Sequence, residues 1–141
     1  MTATPAQALT EMTLLLTAGV AFPVLVPNDE QDPPNGTDTV WARLKFEHTN
    51  GMQATLSDQA GVRRWRADGI GTVELNLPYG KGVKYPYEIA ETVCNLYRGK
   101  RTASDVWFRN VRIAEVPTEG NARPKYYRLD VVFEFQYDSV N

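Results

Sequence analysis

The sequence predicts an α+β domain: a mostly antiparallel sheet of about five strands with two main helices packed on one face. Three observations carry this. Residues 126–137 alternate, with Val132 the one apolar residue between the outward Asp130 and Glu134. Tyr127, Leu129, Val131, Phe133, Phe135 and Tyr137 fall on one side, and Arg128, Asp130, Glu134 and Gln136 on the other; period two over this length marks a half-buried strand. The second helical pattern differs: Ile89, Val93, Leu96 and Tyr97 fall at i, i+4, i+7 and i+8, one apolar stripe. Finally, turn residues rather than long crossovers separate most strand candidates, which favours hairpins and antiparallel pairing.

The elements follow in order. Thr4-Pro5-Ala6-Gln7 opens a helix over about 5–18. Thr4 caps it, Pro5 suits the first helical position, where no amide hydrogen is needed, and Gln7 completes a capping box. Leu9, Met12, Leu15 and Leu16 recur at helical spacing, and Gly19 is the expected stop. Residues 20–26 are apolar and extended, but Pro23 lacks a ladder donor and keeps them out of the sheet centre. A loop over 28–39 is marked by Pro33-Pro34-Asn35-Gly36. The sheet and second helix then occupy 40–137. Residues 40–46 form a strand with Val40, Ala42, Leu44 and Phe46 inward, and Asn50-Gly51 is a turn signal. Residues 62–67 and 72–77 read as the next two strands, joined by a tight turn at Asp68-Gly69. Pro78-Tyr79-Gly80-Lys81-Gly82 breaks the pattern, and the second helix runs from Tyr85 or Pro86 to Arg98. Gly99 is its expected C-terminal cap, with Arg98, Lys100 and Arg101 favourable near the negative end of the helix dipole. Strands over about 106–116 and 126–137 finish the chain.

At 141 residues the chain is one domain, long enough to bury a core. Its 43% hydrophobic and 23% charged residues are near the globular average. A net charge of −2 provides no global basic field for nucleic acid and no acidic excess. The single cysteine, Cys94, excludes an intramolecular disulfide and fits a reducing compartment. The most apolar stretch, residues 12–26, is shorter than the roughly 20 residues a membrane span needs, and Gly19 and Pro23 interrupt it. Glu11 borders it and no basic residue precedes it, so it makes a poor signal peptide. The expectation is a chain made in the cytoplasm with no membrane step.

Candidates for chemistry are scarce. His48 is the sole histidine and lacks the partners of a histidine-rich metal site, so a structural role is expected. Cys94 lies beside the apolar helical stripe and reads as a core filler rather than a nucleophile. Glu88 and Glu91 lie one turn apart, as paired carboxylates for acid–base work do, but they precede Arg98 on a polar helix face. Gly80-Lys81-Gly82 precedes a helix but lacks the spacing of a phosphate-binding loop, so it reads as a turn requiring positive φ. No metal or organic cofactor and no enzymatic activity are expected. Two clusters remain. Asp29, Glu30, Asp32 and Asp38 lie in a loop with no basic residue, which reads first as a solvated loop. Arg63, Arg64, Trp65 and Arg66 interleave charge with an aromatic ring, as single-strand binders do; a protein–protein contact explains Trp and Arg at least as well. On a strand, Arg64 and Arg66 share one face with Val62, while Arg63 and Trp65 share the other with Ala67.

Several segments, read together, resemble the tail terminator (tail completion) proteins of long-tailed bacteriophages. They are Pro27-Asn28 before a proline-containing loop and the strand from Val40; Gly61, the arginine-rich strand and Gly69; and Leu77-Pro78-Tyr79-Gly80-Lys81-Gly82 before a helix. Val106-Trp107-Phe108-Arg109-Asn110-Val111 and the final strand ending Glu134-Phe135-Gln136-Tyr137-Asp138 complete the set. The resemblance spans roughly Pro23 to the end and is carried by order and spacing rather than by one motif. It implies a structural virion protein. Such proteins form a homo-hexameric ring on the head-proximal end of the tail tube, stop tube growth and offer a surface for head joining through a head-completion or neck protein. DNA passes through the ring unread, and no catalytic residue is carried over. On this reading Arg63, Arg64, Trp65 and Arg66 contact a neighbouring subunit or the tail tube protein, and Asp29, Glu30 and Asp32 line the channel or sit on the rim. Rival readings are another neck or tail-tube subunit, a small nucleic-acid-binding module using residues 63–66, and an unrecognised enzyme. Salt-dependent DNA affinity would mark the module; a tight pocket with a perturbed acid would mark the enzyme.

Overall fold

The computed structural model describes residues 3–27, 39–53, 64–78, 80, 82–116 and 126–140. The elements run α1 (Pro5–Gly19), β1 (Val24–Leu25), β2 (Trp41–Gln53), β3 (Arg64–Pro78), α2 (Lys84–Tyr97), β4 (Trp107–Glu115) and β5 (Tyr126–Val140). The five strands form one sheet in the order β1-β2-β3-β5-β4. Every pairing is antiparallel except that of β1 with β2. The proline-containing segment thus sits at an edge, where a missing donor costs least.

Register explains the core. Ala42 pairs with Leu75 and Leu44 with Val73 across β2 and β3. Leu75 in turn faces Leu129, and Val73 faces Val131, across β3 and β5. All six are buried, together with Phe133 and Phe135 further along β5. The helices cover this face: α1 contributes Ala8, Met12 and Leu16, and α2 contributes Ala90, Val93, Cys94 and Tyr97. The Tyr97 ring stacks on Phe133 with centroids 4.1 Å apart, and Phe108 meets both edge-on at 5.2 and 5.5 Å. The Tyr97 hydroxyl donates to the Met12 carbonyl at 3.1 Å, which ties the two helices together without orphaning a buried polar group.

Local chemistry sets the helix ends. The capping box forms as the sequence predicts, with the Thr4 hydroxyl accepting from the Gln7 amide and the Gln7 side chain accepting from Thr4. Gly80, Gly82 and Gly99 all have positive φ, so the strand-to-helix turn and the α2 cap use glycine where a side chain would strain the backbone. Gly19 departs from expectation. It is the last residue of α1, and a Cβ there would lie 2.5 Å from the Leu96 side chain. Its role is close helix–helix approach, not a left-handed cap.

Two expected turns are strand interior instead. Residues 64–78 form one continuous strand, so Asp68-Gly69 is not a turn; Gly69 and Gly71 lie under the rings of Phe135 and Phe133 on β5. Asn50-Gly51 lies inside β2, after a bulge between His48 and Asn50 that takes up the extra residue. The outer edge of β4 is likewise broken by a bulge between Arg109 and Arg112, where Asn110 takes φ 57°. Arg98 donates twice to the Val111 carbonyl there, occupying an edge acceptor that could otherwise recruit a foreign strand.

Candidate interaction surface

The face of the sheet away from the helices carries a ladder of charge. Glu74, only 6% exposed, lies at its centre. It accepts Lys45 at 2.5 Å and Arg128 at 2.9 Å, and Arg128 also reaches Asp130 at 3.2 Å. A carboxylate this sheltered is tolerable because two cations compensate it.

Burial falls away along β3. Alternate residues from Gly69 to Leu77 are buried, whereas none from Arg64 to Asp68 is. At this end Arg66 faces Asp138 across β3 and β5, and Trp107 faces Gln136 across β4 and β5. Arg66 donates through Nε at 2.9 Å and a terminal nitrogen at 3.3 Å to the two Asp138 oxygens. This fork, with the attraction of the Asp138 charge behind it, raises the Arg66 pKa further; burial opposes the shift, and Asp68 adds to it. From the loop before β4, Arg101 lays its guanidinium 4.6 Å from the centre of the Trp107 ring, and Arg101 also pairs with Asp105 at 3.8 Å. Trp107 is 39% exposed. Arg64, Arg66, Asp105, Trp107, Gln136 and Asp138 line a cleft of about 160 Å³. Its chemistry is that of a recognition surface: planar cations in fixed positions beside an indole face.

The sequence-predicted residues separate here. Arg64 and Arg66 come together on the open face. Trp65 falls on the opposite face, level with Ser139 and Gln53, as strand alternation requires. Arg63, Asp29, Glu30 and Asp32 lie outside the described residues. Trp107, Arg101 and Asp138 were not singled out. Alternation of Trp107 with the inward Phe108 marked the tryptophan as outward-facing, but Arg101 arrives through an isolated bridge to Trp107 that no sequence pattern signals.

The other candidates have structural surroundings. The His48 Nε2 lies 2.7 Å from the Tyr137 hydroxyl, with the imidazole edge-on to Phe135 and Tyr137. Glu88 is exposed and lies 3.8 Å from Lys84; Glu91 is also exposed. Cys94 is fully buried, and burial pushes its thiol pKa up; Arg98 pulls it down, and Glu91 adds slightly. A thiolate-directed reagent such as a disulfide dye should therefore label Cys94 only after denaturant is added. Rapid stoichiometric labelling of the native protein would remove Cys94 from the core. Among the described residues, no group of three or more His, Cys, Asp or Glu side chains is placed to hold a metal ion. Among them, too, no helix is long and apolar enough to cross a membrane.

No protein-family model matches the sequence, and no curated protein does. One solved structure is similar to this chain at 22% identity and a TM-score of 0.61, with 96% of this chain and 93% of that chain covered. The name of that protein states no function, and identity at this level speaks for a shared fold only.

Proposed function

We propose that this chain is a structural virion protein that caps the head-proximal end of a phage tail tube as a homo-hexameric ring. There it ends tail growth and presents the surface for head joining. The order and spacing of segments along the chain support this reading. So does one structural observation above the rest: the central strand β3 runs beyond the buried part of the sheet and carries Arg64 and Arg66 to an end where the edge strand β4 places the exposed Trp107. Tryptophan and arginine are the residue types most enriched where protein interfaces hold most of their energy. The ring works by shape and contact, without catalysis, and DNA passes through it unread.

Particles assembled without this chain test the reading directly. Negative-stain images should show overlong tails, or heads and tails that remain separate. Tails of normal length already joined to heads would sink it. A small nucleic-acid-binding module is the second reading, favoured by the same cluster, since guanidinium groups around an exposed indole suit unstacked bases. It requires DNA affinity that falls steeply with salt. The carboxylates of Asp105 and Asp138 inside the cleft weigh against a phosphate ligand.

A further inference from the structure

The two helices lie on the same side of the sheet, yet their outer faces differ in chemistry. The outer face of α2 carries Lys84, Glu88 and Glu91, all exposed. The outer face of α1 carries Ala6, Gln7, Thr10, Leu14, Thr17 and Ala18, and no exposed residue of this helix is charged. Its single charged side chain, Glu11, is taken up by the loop before β4, where it accepts from the Thr102 hydroxyl at 3.2 Å and the Ser104 amide at 3.1 Å. A helix that faces water normally turns charge toward it, as α2 does. We propose that a second copy of this chain covers the α1 face: α1 packs antiparallel on its counterpart about a two-fold axis, with Leu14 of each copy seated against Ala18 of the other. This contact is separate from the one that would close a ring and does not rest on that reading.

Shape supports the pairing. Leu14 is 56% exposed and stands at the rim of a groove of about 600 Å³ between α1 and the loop before β4. Leu15, Ala18 and Ala103 also line that groove. Arg101 borders it, but its guanidinium is laid over Trp107 and paired with Asp105, so it brings no free charge. Leu14 and Ala18 lie one helical turn apart on the same side. A two-fold axis crossing midway between them sets a large residue opposite a small one twice over. The same patch then supplies both the ridge and the groove, as an isologous contact requires.

Electrostatics choose the occupant. A charged surface laid on this face would lose hydration and gain no partner. Among the described residues the other broad faces, the outside of α2 and the open side of the sheet, both carry charge. The surface of this chain that suits the α1 face is therefore the α1 face itself. Direction follows from the helix ends. The first turn holds no acidic residue and the last turn no basic one, so side chains compensate neither end of the helix dipole. An antiparallel copy places opposite ends side by side. Size sets the strength. A helix of 15 residues is about 22 Å long and about 10 Å across, so with the groove beside it the footprint is roughly 450 Å² on each copy. That is near the lower limit of a specific contact, about 1,000 Å² for both partners together. The pair should form and part with concentration rather than persist at high dilution.

Light scattering after size exclusion, on the full chain over a concentration series, tests this. The parent should approach twice the mass of one copy, or twice the mass of one ring where rings form. Leu14→Glu should halve that mass, weakening the contact on the order of 100-fold or more, because each copy then buries a carboxylate. Ala18→Glu should do the same, and Glu91→Lys on α2 should change nothing. Circular dichroism should match the parent in all three, since each site is exposed. Direction is read by cross-linking: Leu14→Cys and Ala18→Cys chains, mixed under a mild oxidant, should form a disulfide faster than either variant alone. A parent that stays at one copy, or at one ring, across the series would overturn the proposal. So would Leu14→Glu and Ala18→Glu chains that keep the mass of the parent. Faster cross-linking of Leu14→Cys alone than of the mixture would overturn the Leu14–Ala18 register. A parent that never pairs but loses its hold on purified tail tubes through Leu14→Glu would give the face to the tube, and would leave the ring reading standing.

Discussion

Val93→Asp should lower the melting temperature by roughly 10–20 °C or prevent folding altogether, given about 4 kcal/mol for a carboxylate buried without a partner. Val93 is fully buried, on the face of α2 that also carries Ala90, Cys94 and Tyr97. Domains of this kind have a total stability of only about 5–15 kcal/mol, so one such group removes much of it. The effect should depend on pH in a definite direction. Burial raises the folded-state pKa of the introduced carboxyl above its unfolded value. The penalty is then complete above the folded pKa and shrinks as pH falls toward the unfolded value of about 4. Val93→Ala separates charge from volume, because it leaves a cavity without a carboxyl and should show no such pH dependence. If Val93→Asp melts like the parent at neutral pH, α2 does not pack on the sheet through this stripe.

That stripe was legible because a helix with one apolar side repeats its pattern at 3.6 residues, and Val93, Leu96 and Tyr97 keep to it. The alternation of β5 was legible for the matching reason: six consecutive inward positions from Tyr127 to Tyr137 fix the face before any pairing is known. The antiparallel sheet and the two-helix layer then follow, since both kinds of apolar surface need a partner. What escaped was set by partners distant in sequence. The acid at Asp138 belongs to the Arg66 cluster only through the β3–β5 register, and Arg101 reaches Trp107 from a loop. Alternation showed that Arg64 and Trp65 must point to opposite faces, but not that a β4 tryptophan would take the place beside the arginines. The reading of Asp68-Gly69 failed for a related reason. Glycine in a strand signals a turn to local propensity, yet it also serves where another side chain crosses close above the backbone. Only the cross-strand neighbour decides between these.

Gly71→Ala tests that second role, and its effect should approach that of the buried carboxylate. A Cβ at Gly71 would fall 2.2 Å from the Cζ atom of Phe133 and 2.4 Å from its Cε2. The Phe133 ring has little room to give way, being stacked on Tyr97 and met edge-on by Phe108. Overpacking of this kind should cost about 3 kcal/mol. Trimming the obstacle should recover part of the loss: Gly71→Ala combined with Phe133→Leu should be less destabilised than the sum of the two single changes, by on the order of 1 kcal/mol or more in a double-mutant cycle. Gly69 provides the contrast. A Cβ there would lie 2.2 Å from the Cζ of Phe135 but also 2.5 Å from the Glu47 carbonyl oxygen, which belongs to the backbone of the neighbouring strand. A side chain can be shortened, whereas a ladder carbonyl cannot. Phe135→Leu should therefore fail to rescue Gly69→Ala, even though the two sites look alike in sequence. No rescue at Gly71 would mean that the Phe133 ring does not lie over it, and the register of β3 on β5 would need to be redrawn; equal rescue at both positions would leave the rings in place and remove the Glu47 carbonyl as the obstacle at Gly69.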